Sequence, residues 1–414
     1  MIDPCSLEST SLLSLDDALE RIKIAIQPVM ASERVALKNA LGRVLSEGVV
    51  SPINIPFGRN SSMDGYALSS KDINANQPFT LSLTGVSWAG KPFQGSLQAG
   101  QCVRIFTGAL LPDETDSVVI QEQVSADGEN IVFPANIAAY QNIREAGEDI
   151  KQGSLVCPRL KKLTAADIGL LASAGIYDLP VRRKLNIAFF STGDELMGIG
   201  QQPELGKIYD SNRYALAGLL ADPCYSVVDM GVIPDDRQLL EDGIKQAAEC
   251  NDVIITTGGA SVGDADYIND ILASCGVVNF WKIAIKPGKP LAFGKIGPCY
   301  FFGLPGNPVS VIVTFQQIVA PALKQLSGAA ANKPLRLLAT CITALKKAPG
   351  RQEFQRGILT QDTDGNFFVA STGQQGSHIL SSMSQSNCYI ILSADSKGVS
   401  SGEKVLVEPF NVFF

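Results

Sequence analysis

Residues 256–267 read TTGGASVGDADY and combine two features suited to binding a phosphate group together with a metal ion. Glycine-rich loops expose backbone N–H groups that can bind phosphate-like oxyanions. Asp264 and Asp266 follow the glycines and would repel such an anion unless a cation lay between them. Carboxylate oxygens and substrate phosphates are the usual ligands of Mg²⁺. The loop therefore indicates an anion with its magnesium ion, and the alternative role for either aspartate is to cap the following helix.

Three other polar, glycine-rich loops also follow apolar runs of the sequence. They are STGDEL at 191–196, KPGKP at 286–290 and GLPGNP at 303–308. Because the carboxyl ends of parallel strands share one edge of a sheet, we expect these loops to lie together where ligands bind. The charged residues predicted at this edge are Asp194, Glu195, Asp264, Asp266, Lys282, Lys286 and Lys289. Tight turns explain many of the glycines, but they do not explain the charged residues.

A helix is expected to begin directly after Gly306. Asn307 is a favourable N-cap, and Pro308 suits the first helical position. The free N–H groups of this helix start, together with Lys282 and Lys286, supply positive potential for an oxyanion.

The spacing of apolar residues along the chain predicts the strands and helices that position these loops. Residues 185–327 alternate short apolar runs with helical segments, which predicts a three-layer α/β/α domain around a parallel-rich sheet. Residues 53–145 contain short alternating runs separated by Gly, Pro and Asp, which indicates an inserted β-rich domain. The alternation returns after Leu335 and predicts a small β-barrel or sandwich.

Helical spacing of apolar residues marks parts of the N-terminal region. The pattern predicts helices over residues 14–26 and 32–45, with Ser14 and Ser32 as N-caps. It also predicts a helix within TAADIGLLASAG that ends at Gly175.

Composition excludes several classes of function. The formal net charge of −7 argues against a nucleic-acid or anionic-membrane surface. The single histidine, His378, excludes a Ser-His-Asp nucleophile or a multi-histidine zinc site and is expected to be a surface or structural residue. Nine cysteines without C-x-x-C spacing indicate reduced thiols in a cytoplasmic protein. The N-terminus does not resemble a secretory signal, and glutamines and a proline interrupt the most apolar stretch, VSVIVTFQQIVAPAL, so no membrane span is expected.

Further motifs follow one another along the chain. They are NSSMDGYAL at 60–68, RIFTGALLP at 104–112, NIREAGEDI at 142–150, IYDSNR at 208–213, WKIAIKPGKPLAFG at 281–294 and QGSHILSS at 375–382. With the loops above, they resemble the molybdopterin molybdenumtransferase family, the molybdenum insertases of molybdenum cofactor synthesis, which are related to the E domain of gephyrin. The resemblance runs from Leu15 to Phe410. One departure is Arg59, which stands where the family commonly has an aspartate.

The resemblance implies a subunit of four parts. They are an elongated N-terminal domain (1–52 and 146–184), an inserted β-rich domain (53–145), an α/β molybdopterin-binding domain (185–332) and a C-terminal β-barrel (333–414). It also implies a homodimer whose site forms between the α/β domain of one subunit and the first two domains of the other.

The resemblance implies that molybdate is inserted into adenylylated molybdopterin, with Mg²⁺ as cofactor and AMP as a product. By motif position, the functional charged residues are Asp64, Asp149, Glu195, Asp235, Asp266, Lys282 and Lys286. Glu195, Asp235 and Asp266 are the predicted metal ligands. The predicted substrate contacts are Thr192, Gly193, Gly258, Gly259, Ser261, Gly263, Pro305, Gly306, Asn307 and Arg144. The further partners implied are the molybdopterin adenylyltransferase and the factors that mature molybdoenzymes.

Two other functions fit part of this pattern. A molybdopterin adenylyltransferase has a similar α/β domain, but its loop usually reads TTGGTG, whereas Ala260, Ser261 and Val262 follow TTGG here. A scaffold that binds a protein partner through the C-terminal barrel would be indicated by lost acidic residues, and the acidic residues are present. The MDGYA and GEDI motifs, which lie outside the α/β region, favour insertion.

Overall fold

The computed structural model describes residues 12–258, 271–272, 274–330 and 333–410. Separate hydrophobic cores form in the N-terminal, inserted, α/β and C-terminal regions. This confirms the predicted class, a multidomain protein with an α/β part, a β-rich insertion and a C-terminal β-barrel. The domain boundaries given above stay a prediction.

The N-terminal region is a small α/β unit built around short strand pairs. Its elements are strands β1 (Ser32–Ala36), β2 (Val49–Val50), β11 (Leu155–Cys157) and β12 (Asp178–Arg182), the 3₁₀ turn Leu37–Asn39 and helix α2 (Ala165–Ser173). Thr164 and Asp167 form a capping box at the start of α2. Gly175, with φ at 73°, follows its end, so this helix lies where the sequence predicted it.

The helix predicted over residues 32–45 is wrong, because this segment begins as strand β1. β1 pairs antiparallel with β12, and the Nε and Nη2 atoms of Arg34 bind the Asp178 carboxylate at 3.0 and 2.6 Å. Gly42 has a φ of 72°, which a helix does not accommodate. The partner strand lies more than a hundred residues away in sequence, so a local pattern could not reveal it.

Helix α1 spans Leu15–Ala25 and starts as predicted, with Ser14 Oγ accepting a hydrogen bond from the Asp17 N–H at 3.1 Å. Its buried residues are Leu15, Ala18 and Ile22, and they join the core of the α/β region. Gln325 Nε2 donates to the carbonyl oxygen of Lys23 at 2.9 Å. The residues that cover α1 therefore come from the α/β region, which its apolar stripe alone does not reveal.

The inserted region is a twisted β-sheet with small appendages. Its strands are β3 (Asn60–Ser61), β4 (Gly65–Leu68), β5 (Phe79–Ser87), β6 (Gln101–Ile105), β7 (Ser117–Ile120), β8 (Ser125–Asp127), β9 (Asn130–Phe133) and β10 (Ile143–Arg144), with 3₁₀ turns at Ser70–Asp72 and Gln121–Gln123. The main sheet has six strands in the order β7-β4-β6-β5-β9-β8. β3 and β10 pair with each other outside it and carry two of the sequence motifs.

The α/β region contains the strands that precede the glycine-rich loops. Its strands are β13 (Leu185–Thr192), β14 (Leu196–Met197), β15 (Ile208–Tyr209), β16 (Tyr225–Ile233), β17 (Val253–Thr257), β18 (Val277–Lys282), β19 (Ile285–Lys286), β20 (Pro290–Ile296) and β21 (Cys299–Leu304). Its helices are α3 (Ser211–Leu219), α4 (Arg237–Cys250), α5 (Pro308–Thr314) and α6 (Ala320–Leu326), with a π-helical turn at Phe315–Val319.

Strand direction in this sheet brings the polar loops to one edge. The six strands have the order β16-β13-β17-β21-β20-β18. β16, β13, β17 and β21 are parallel, and β20 is antiparallel to both β21 and β18. β18 therefore runs in the same direction as the other four. The carboxyl ends of these five strands lie at the same edge, as the sequence predicted for a parallel-rich sheet.

Both faces of the sheet are covered. Ile187 and Phe189 of β13 belong to the core shared with α1, α3, α5 and α6, whereas Ala188 and Phe190 belong to the core shared with α4. This alternation follows from the period of two along a strand. The three-layer arrangement therefore requires β13 to be covered on both faces, and it is buried at every position except Asn186.

The helical run Pro308–Leu326 is the one segment of the described residues that is long and apolar enough to cross a membrane. Of its apolar window, 67% is buried inside the protein. Gln317 in this run donates to Glu408 Oε1 of the C-terminal region at 2.7 Å. The run is packed as a core helix, which explains how it carries glutamines and two prolines.

The C-terminal region closes into a barrel. Its elements are β22 (Leu337–Cys341), β23 (Leu345–Lys346), β24 (Gln352–Gln361), β25 (Phe367–Ser371), helix α7 (Leu380–Gln385), β26 (Cys388–Leu392), β27 (Gly398–Val399) and β28 (Lys404–Pro409). The order β24-β25-β22-β28-β26 closes because β26 also pairs with β24, giving the five-stranded barrel. β19 of the α/β region adds to β24 in parallel, so main-chain pairing joins the two regions.

Two glycines give opposite predictions for the stability of the fold. A Cβ at Gly294 in β20 would lie 2.1 Å from the Val277 carbonyl oxygen and 2.4 Å from the Val278 Cα. Gly294→Ala should therefore force β18 and β20 apart and lower the free energy of unfolding by about 1–3 kcal/mol. Gly169 in α2 is exposed with no atom within 4 Å of an added Cβ, so Gly169→Ala should raise it by up to about 1 kcal/mol. Urea unfolding followed by circular dichroism measures both changes, and equal effects would contradict the assigned packing.

Candidate functional site

The loops after β13 and β17 lie in direct contact at the sheet edge. The Ser191 and Thr257 hydroxyl oxygens are 2.9 Å apart. Gly258 has a φ of 85°, and a Cβ there would lie 2.7 Å from the Thr192 carbonyl oxygen. Only glycine fits at position 258, because the conformation and the close approach both exclude a side chain. The Gly258 predicted for substrate contact therefore also has a structural role.

The predicted carboxylates Glu195 and Asp235 lie at this edge. Thr192 Oγ1 donates a hydrogen bond to Asp235 Oδ1, and the Asp235 N–H donates to Asp194 Oδ1 at 3.2 Å. A Cβ at Gly193 would lie 2.6 Å from Glu195 Oε2, so the Glu195 carboxylate folds over that glycine. Of the two predicted substrate contacts, Thr192 thus holds Asp235 in place, and Gly193 leaves the room that the Glu195 carboxylate occupies.

Asp235 is not needed to cap the helix that follows it. The neighbouring Asp236 is the N-cap of α4, and its Oδ1 accepts a hydrogen bond from the Leu239 N–H at 2.9 Å. The Asp235 side chain is exposed and is bound by a neutral hydroxyl. Its charge therefore remains available to a ligand.

The IYDSNR motif connects two of the loops, which sequence reasoning did not assign to it. The Ile208 N–H donates to the Glu195 carbonyl oxygen at 2.8 Å, and Asn212 Nδ2 donates to the Gly306 carbonyl oxygen at 2.8 Å. Asp210 caps α3 by accepting from the Arg213 N–H at 3.1 Å. The sequence contained one indication of the contact between Asn212 and Gly306: Asn212 lies in the first turn after an N-cap residue.

The loop GLPGNP leads into a helix start that the C-terminal region partly covers. Asn307 occupies the N-cap position without a side-chain cap hydrogen bond, and Pro308 is at the first helical position as predicted. The Val309 N–H donates to the Ser377 carbonyl oxygen at 3.0 Å. A Cβ at Gly306 would meet no atom within 4 Å, so the space beside Gly306 is open, whereas the preceding Pro305 is buried.

The lysines lie at the carboxyl end of β18 and in the strand that follows. Lys282 ends β18 and is exposed. Lys286 Nζ forms an ion pair with Glu353 Oε1 of the barrel at 3.1 Å. Sequence reasoning did not single out Glu353, because no local pattern around it differs from that of a barrel strand. Near-complete burial, which is unusual for a carboxylate, sets Glu353 apart, and burial is known only from the fold.

A second group of predicted residues lies in the inserted region and its connections. β3 and β10 pair so that Arg144 lies opposite Asn60, which brings the NSSMDGYAL and NIREAGEDI motifs together. The Asp149 N–H donates to the Ile55 carbonyl oxygen at 3.0 Å, and the side chains of Arg144 and Asp149 are exposed. Arg59, the departure from the family pattern, donates to the Asp113 carbonyl oxygen at 3.3 Å.

Asp64 is bound by one residue of the RIFTGALLP motif. The Thr107 N–H and hydroxyl both donate to Asp64 Oδ1 at 2.8 Å. These bonds, the backbone one first, hold the pKa of Asp64 below its ordinary value. Arg104 lies over the rings of Tyr66 and Phe106, at 5.0 and 4.8 Å from their centroids, and lowers that pKa further.

The two groups of residues remain separate within one subunit. In the described ranges, no hydrogen bond or ion pair joins Asp64, Arg144 or Asp149 to the loops at the sheet edge. None of the carboxylates Asp64, Asp149, Glu195 and Asp235 forms an ion pair with another described residue. Asp235 and Asp64 are therefore oriented by neutral donors, and no ion pair within the described residues cancels the charge of any of the four carboxylates.

Several predicted residues lie outside the described part of the chain. They are Gly259, Ser261, Gly263, Asp264 and Asp266. The residues that are described contain no group of three or more His, Cys, Asp or Glu placed to hold a metal ion. The roles assigned to the site residues stay predictions.

Three known family descriptions match consecutive parts of the chain. Residues 13–175 match the MoeA N-terminal region (domains I and II). Residues 188–325 match a probable molybdopterin-binding domain, and residues 339–410 match the MoeA C-terminal region (domain IV).

Individual relatives extend over nearly the whole chain. It is 43% identical over 402 residues to a molybdopterin molybdenumtransferase of Haemophilus influenzae, covering 97% of this chain and 99% of that protein. It is 34% identical over 386 residues to a molybdopterin molybdenumtransferase of a Nostoc species, covering 91% and 88%. The crystal structure of a molybdopterin biosynthesis moeA protein from Pyrococcus horikoshii matches with a TM-score of 0.83 at 29% identity, covering 97% of this chain and all of that one.

Thr107→Val tests how Asp64 is held. The variant removes the hydroxyl but keeps the backbone N–H, so the pKa of Asp64 should rise part of the way toward its ordinary value. A lowered pKa means that the stabilising contribution of this carboxylate exists above the ordinary pKa and is lost as the pH falls through the folded-state pKa. The variant should move that loss to higher pH. NMR titration of the Asp64 carboxyl carbon measures the shift, and Thr107→Ser, which keeps the hydroxyl, should leave it unchanged. An unchanged pKa in the valine variant would contradict the hydroxyl contact.

Proposed function

The chain belongs to the family of molybdopterin molybdenumtransferases, transferases of molybdenum cofactor biosynthesis, and on this premise we propose that it inserts molybdate into adenylylated molybdopterin with release of AMP. The observation that supports this reaction is that Glu195 and Asp235, which form no ion pair with a described residue, lie at the same sheet edge as the glycine-rich loops and Lys282. Such a site suits a phosphorylated substrate and a second oxyanion.

The substrate phosphates are proposed to lie against the loops after β13, β17 and β21. At the start of α5, Pro308 has no N–H and the Val309 N–H is bound to the Ser377 carbonyl oxygen, so the donor proposed for an anion is the Ser310 N–H, which the N-cap side chain of Asn307 does not take. Lys282 and Lys286 lie at the end of β18 and in β19, at the same edge, and each ammonium is a compact positive charge. Together they would neutralise the phosphate and molybdate oxygens as the bond to AMP breaks.

The carboxylates fit a magnesium ion by their donor chemistry. Glu195 and Asp235 offer oxygen ligands only, and Mg²⁺ prefers oxygen ligands from one or two carboxylates and substrate phosphates. Asp266 is the third ligand that we propose. When bound, the ion would neutralise charge on the phosphates. The Thr192 hydroxyl fixes the Asp235 carboxylate, so one of its oxygens is oriented before any ligand arrives.

We propose that the active unit is a homodimer. Asp64, Arg144 and Asp149 make no hydrogen bond or ion pair with the sheet-edge loops in the described part of their own subunit. Arg144 and Asp149 are exposed and Asp64 is half-buried, so a second copy of the chain can bring its sheet-edge loops to them. We also propose a cytoplasmic location, because the cysteines of the described residues are all free thiols. The adenylyltransferase and molybdoenzyme maturation factors are the partners proposed for substrate delivery and product transfer.

The two alternative functions are less well supported. Adenylylation of molybdopterin needs an α/β domain, but this chain also matches a molybdopterin molybdenumtransferase over 99% of that protein's length, including the N-terminal and C-terminal regions. A scaffold without activity would not need to keep the Thr192–Asp235 and Thr107–Asp64 hydrogen bonds.

Neighbouring aspartates offer a matched test of the metal role. Asp235→Asn keeps the acceptor for Thr192 but removes the charge, so AMP release should fall about a hundredfold, the scale expected when one preorganised electrostatic group is lost. Asp236→Asn removes the same charge one residue away, and asparagine caps a helix as well as aspartate, so its activity should stay near that of the wild type.

The measurement is AMP formed from adenylylated molybdopterin, molybdate and Mg²⁺ by the purified protein. Calorimetric titration of Mg²⁺ in the presence of the substrate is the second measurement, and only Asp235→Asn should weaken binding. Equal losses in both variants would assign the effect to surface charge. An absence of AMP from the wild-type protein would refute the proposed reaction.

Subunit mixing tests whether the site is shared. Asp64→Asn and Asp235→Asn subunits, exchanged at random, should form heterodimers in half of the population, each with one intact site out of two. Activity should then recover to about a quarter of the wild-type value. A mixture of Asp64→Asn with Asp149→Asn is the control, because both changes affect the same half of the site and no heterodimer has an intact one. Recovery in neither mixture, after exchange is verified by mass spectrometry, would exclude a site formed between subunits.

A further inference from the structure

We propose that Glu353, a buried carboxylate of the barrel, is a positioning residue for Lys286, and that the barrel is thereby part of the oxyanion-binding machinery. This inference rests on the proposed function, in which Lys286 binds an oxyanion. The C-terminal region would then contribute to the reaction through a residue that does not touch the substrate.

The main chain brings Lys286 and Glu353 side by side. β19 and β24 are parallel, with Ile285 opposite Gln352 and Lys286 opposite Glu353. The Gln352 N–H donates to the Ala284 carbonyl oxygen at 2.8 Å. The register of a strand pair fixes which side chains are neighbours, so backbone hydrogen bonds set this contact and not a chance rotamer.

Glu353 is held rigidly on its own side. Its side chain is 5% exposed, whereas the Lys286 side chain is 49% exposed. Oε1 contacts Lys286 Nζ at 3.1 Å, and Oε2 accepts a hydrogen bond from Gln355 Nε2 at 2.9 Å. Gln355 Nε2 is also bound to the Lys346 carbonyl oxygen at 3.1 Å, which fixes its orientation.

The pair orders the lysine without using all of its donors. A lysine ammonium has three donors, and one of them faces Glu353. The half of the side chain that remains exposed leaves the other donors for an anion. A free lysine loses rotamer entropy when it is immobilised, and the carboxylate imposes that order before the anion arrives.

Leaving the pair is unfavourable for Glu353 in particular. A buried carboxylate that loses its partner keeps a desolvated charge, so the pair resists opening even though Lys286 is half exposed. The lysine is therefore held in one place at the sheet edge.

The same barrel strand also holds a second part of the site. Arg356, 1% exposed, donates from Nη2 to the Gly376 carbonyl oxygen and from Nε to Ser382 Oγ, each at 3.0 Å. The next residue, Ser377, accepts the Val309 N–H of the helix that follows GLPGNP. β24 is thus linked directly to Lys286 and, through Arg356 and the segment Gly376–Ser377, to the start of α5.

A purely structural role is the competing explanation, and Glu408 provides its control. Glu408 is also a buried barrel carboxylate, at 8% exposed, and it contacts Arg336 Nε at 3.0 Å and Gln317 Nε2 at 2.7 Å. It too joins the barrel to the α/β region, but neither of its partners belongs to the predicted site.

The first experiment compares Glu353→Gln with Glu408→Gln. Each keeps side-chain length and an oxygen acceptor while removing one buried charge. Glu353→Gln should lower kcat/KM for molybdate about tenfold, mainly through KM, and weaken molybdate binding measured by calorimetry without pterin by a similar factor. Glu408→Gln should change both by no more than about twofold, although both variants should lower the melting temperature. Equal effects on molybdate in the two variants would overturn the proposal.

The second experiment is a double-mutant cycle with Lys286→Ala. If Glu353 acts through Lys286, adding Glu353→Gln to Lys286→Ala should change kcat/KM by no more than about twofold. If the losses multiply, Glu353 acts independently of the lysine and the proposal fails. Molybdate binding distinguishes this failure from that of the proposed function, because it remains measurable if the wild-type protein releases no AMP.

Discussion

The hydrogen-bond register of the six-stranded α/β sheet is the constraint on which the rest of the structure depends. Because β16, β13, β17, β21 and β18 run in one direction, their carboxyl ends lie at one edge, where the loops that begin at Gly193, Gly258 and Pro305 start. A shift of one residue in the pairing of a strand would turn its side chains to the opposite faces of the sheet. In β13, for example, Ile187 and Phe189 would leave the core they share with α1. The apolar packing and the position of the loops therefore have the same origin.

The segment from Lys282 to Lys286 is where three regions of the chain meet. The Leu13 N–H donates to the Lys282 carbonyl oxygen at 2.8 Å, and the Ala284 N–H donates to the Leu13 carbonyl oxygen at 2.7 Å. The barrel binds the same segment through β24. Backbone hydrogen bonds from the N-terminal segment and from the barrel thus fix the part of the chain that carries two of the predicted lysines. This gives a physical reason why these regions accompany the α/β domain in relatives of similar length.

The charged residues differ in the kind of partner that orients them. Asp64 and Asp235 are held by threonine groups, which fix a carboxylate without cancelling its charge. Asp252, which lies outside the predicted site, is held by a cation instead, since the Nη1 and Nη2 atoms of Arg183 donate to it, each at 2.7 Å. That arginine lowers the pKa of Asp252 against the effect of burial. A neutral partner leaves the field of a carboxylate available to a metal ion or a substrate, which is the role that we propose for Asp64 and Asp235.

The sequence alone determined what depends on neighbouring residues. The order of motifs indicated the family, the spacing in TAADIGLLASAG located α2, and the alternation of apolar runs predicted the three-layer domain and the strands that precede each loop. These features are local because hydrogen bonds within a helix, caps and turn glycines involve residues a few positions apart.

Only the tertiary structure decided features that depend on distant partners. Residues 32–36 form a strand because Asp178–Arg182 pair with them, and α1 joins the α/β core because the covering residues come from elsewhere in the chain. The same holds for Glu353, which becomes a neighbour of Lys286 only when the barrel closes beside β19. Contacts across 67 residues leave no periodic trace in the sequence, since the free energy that selects them comes from burial and pairing in the assembled fold.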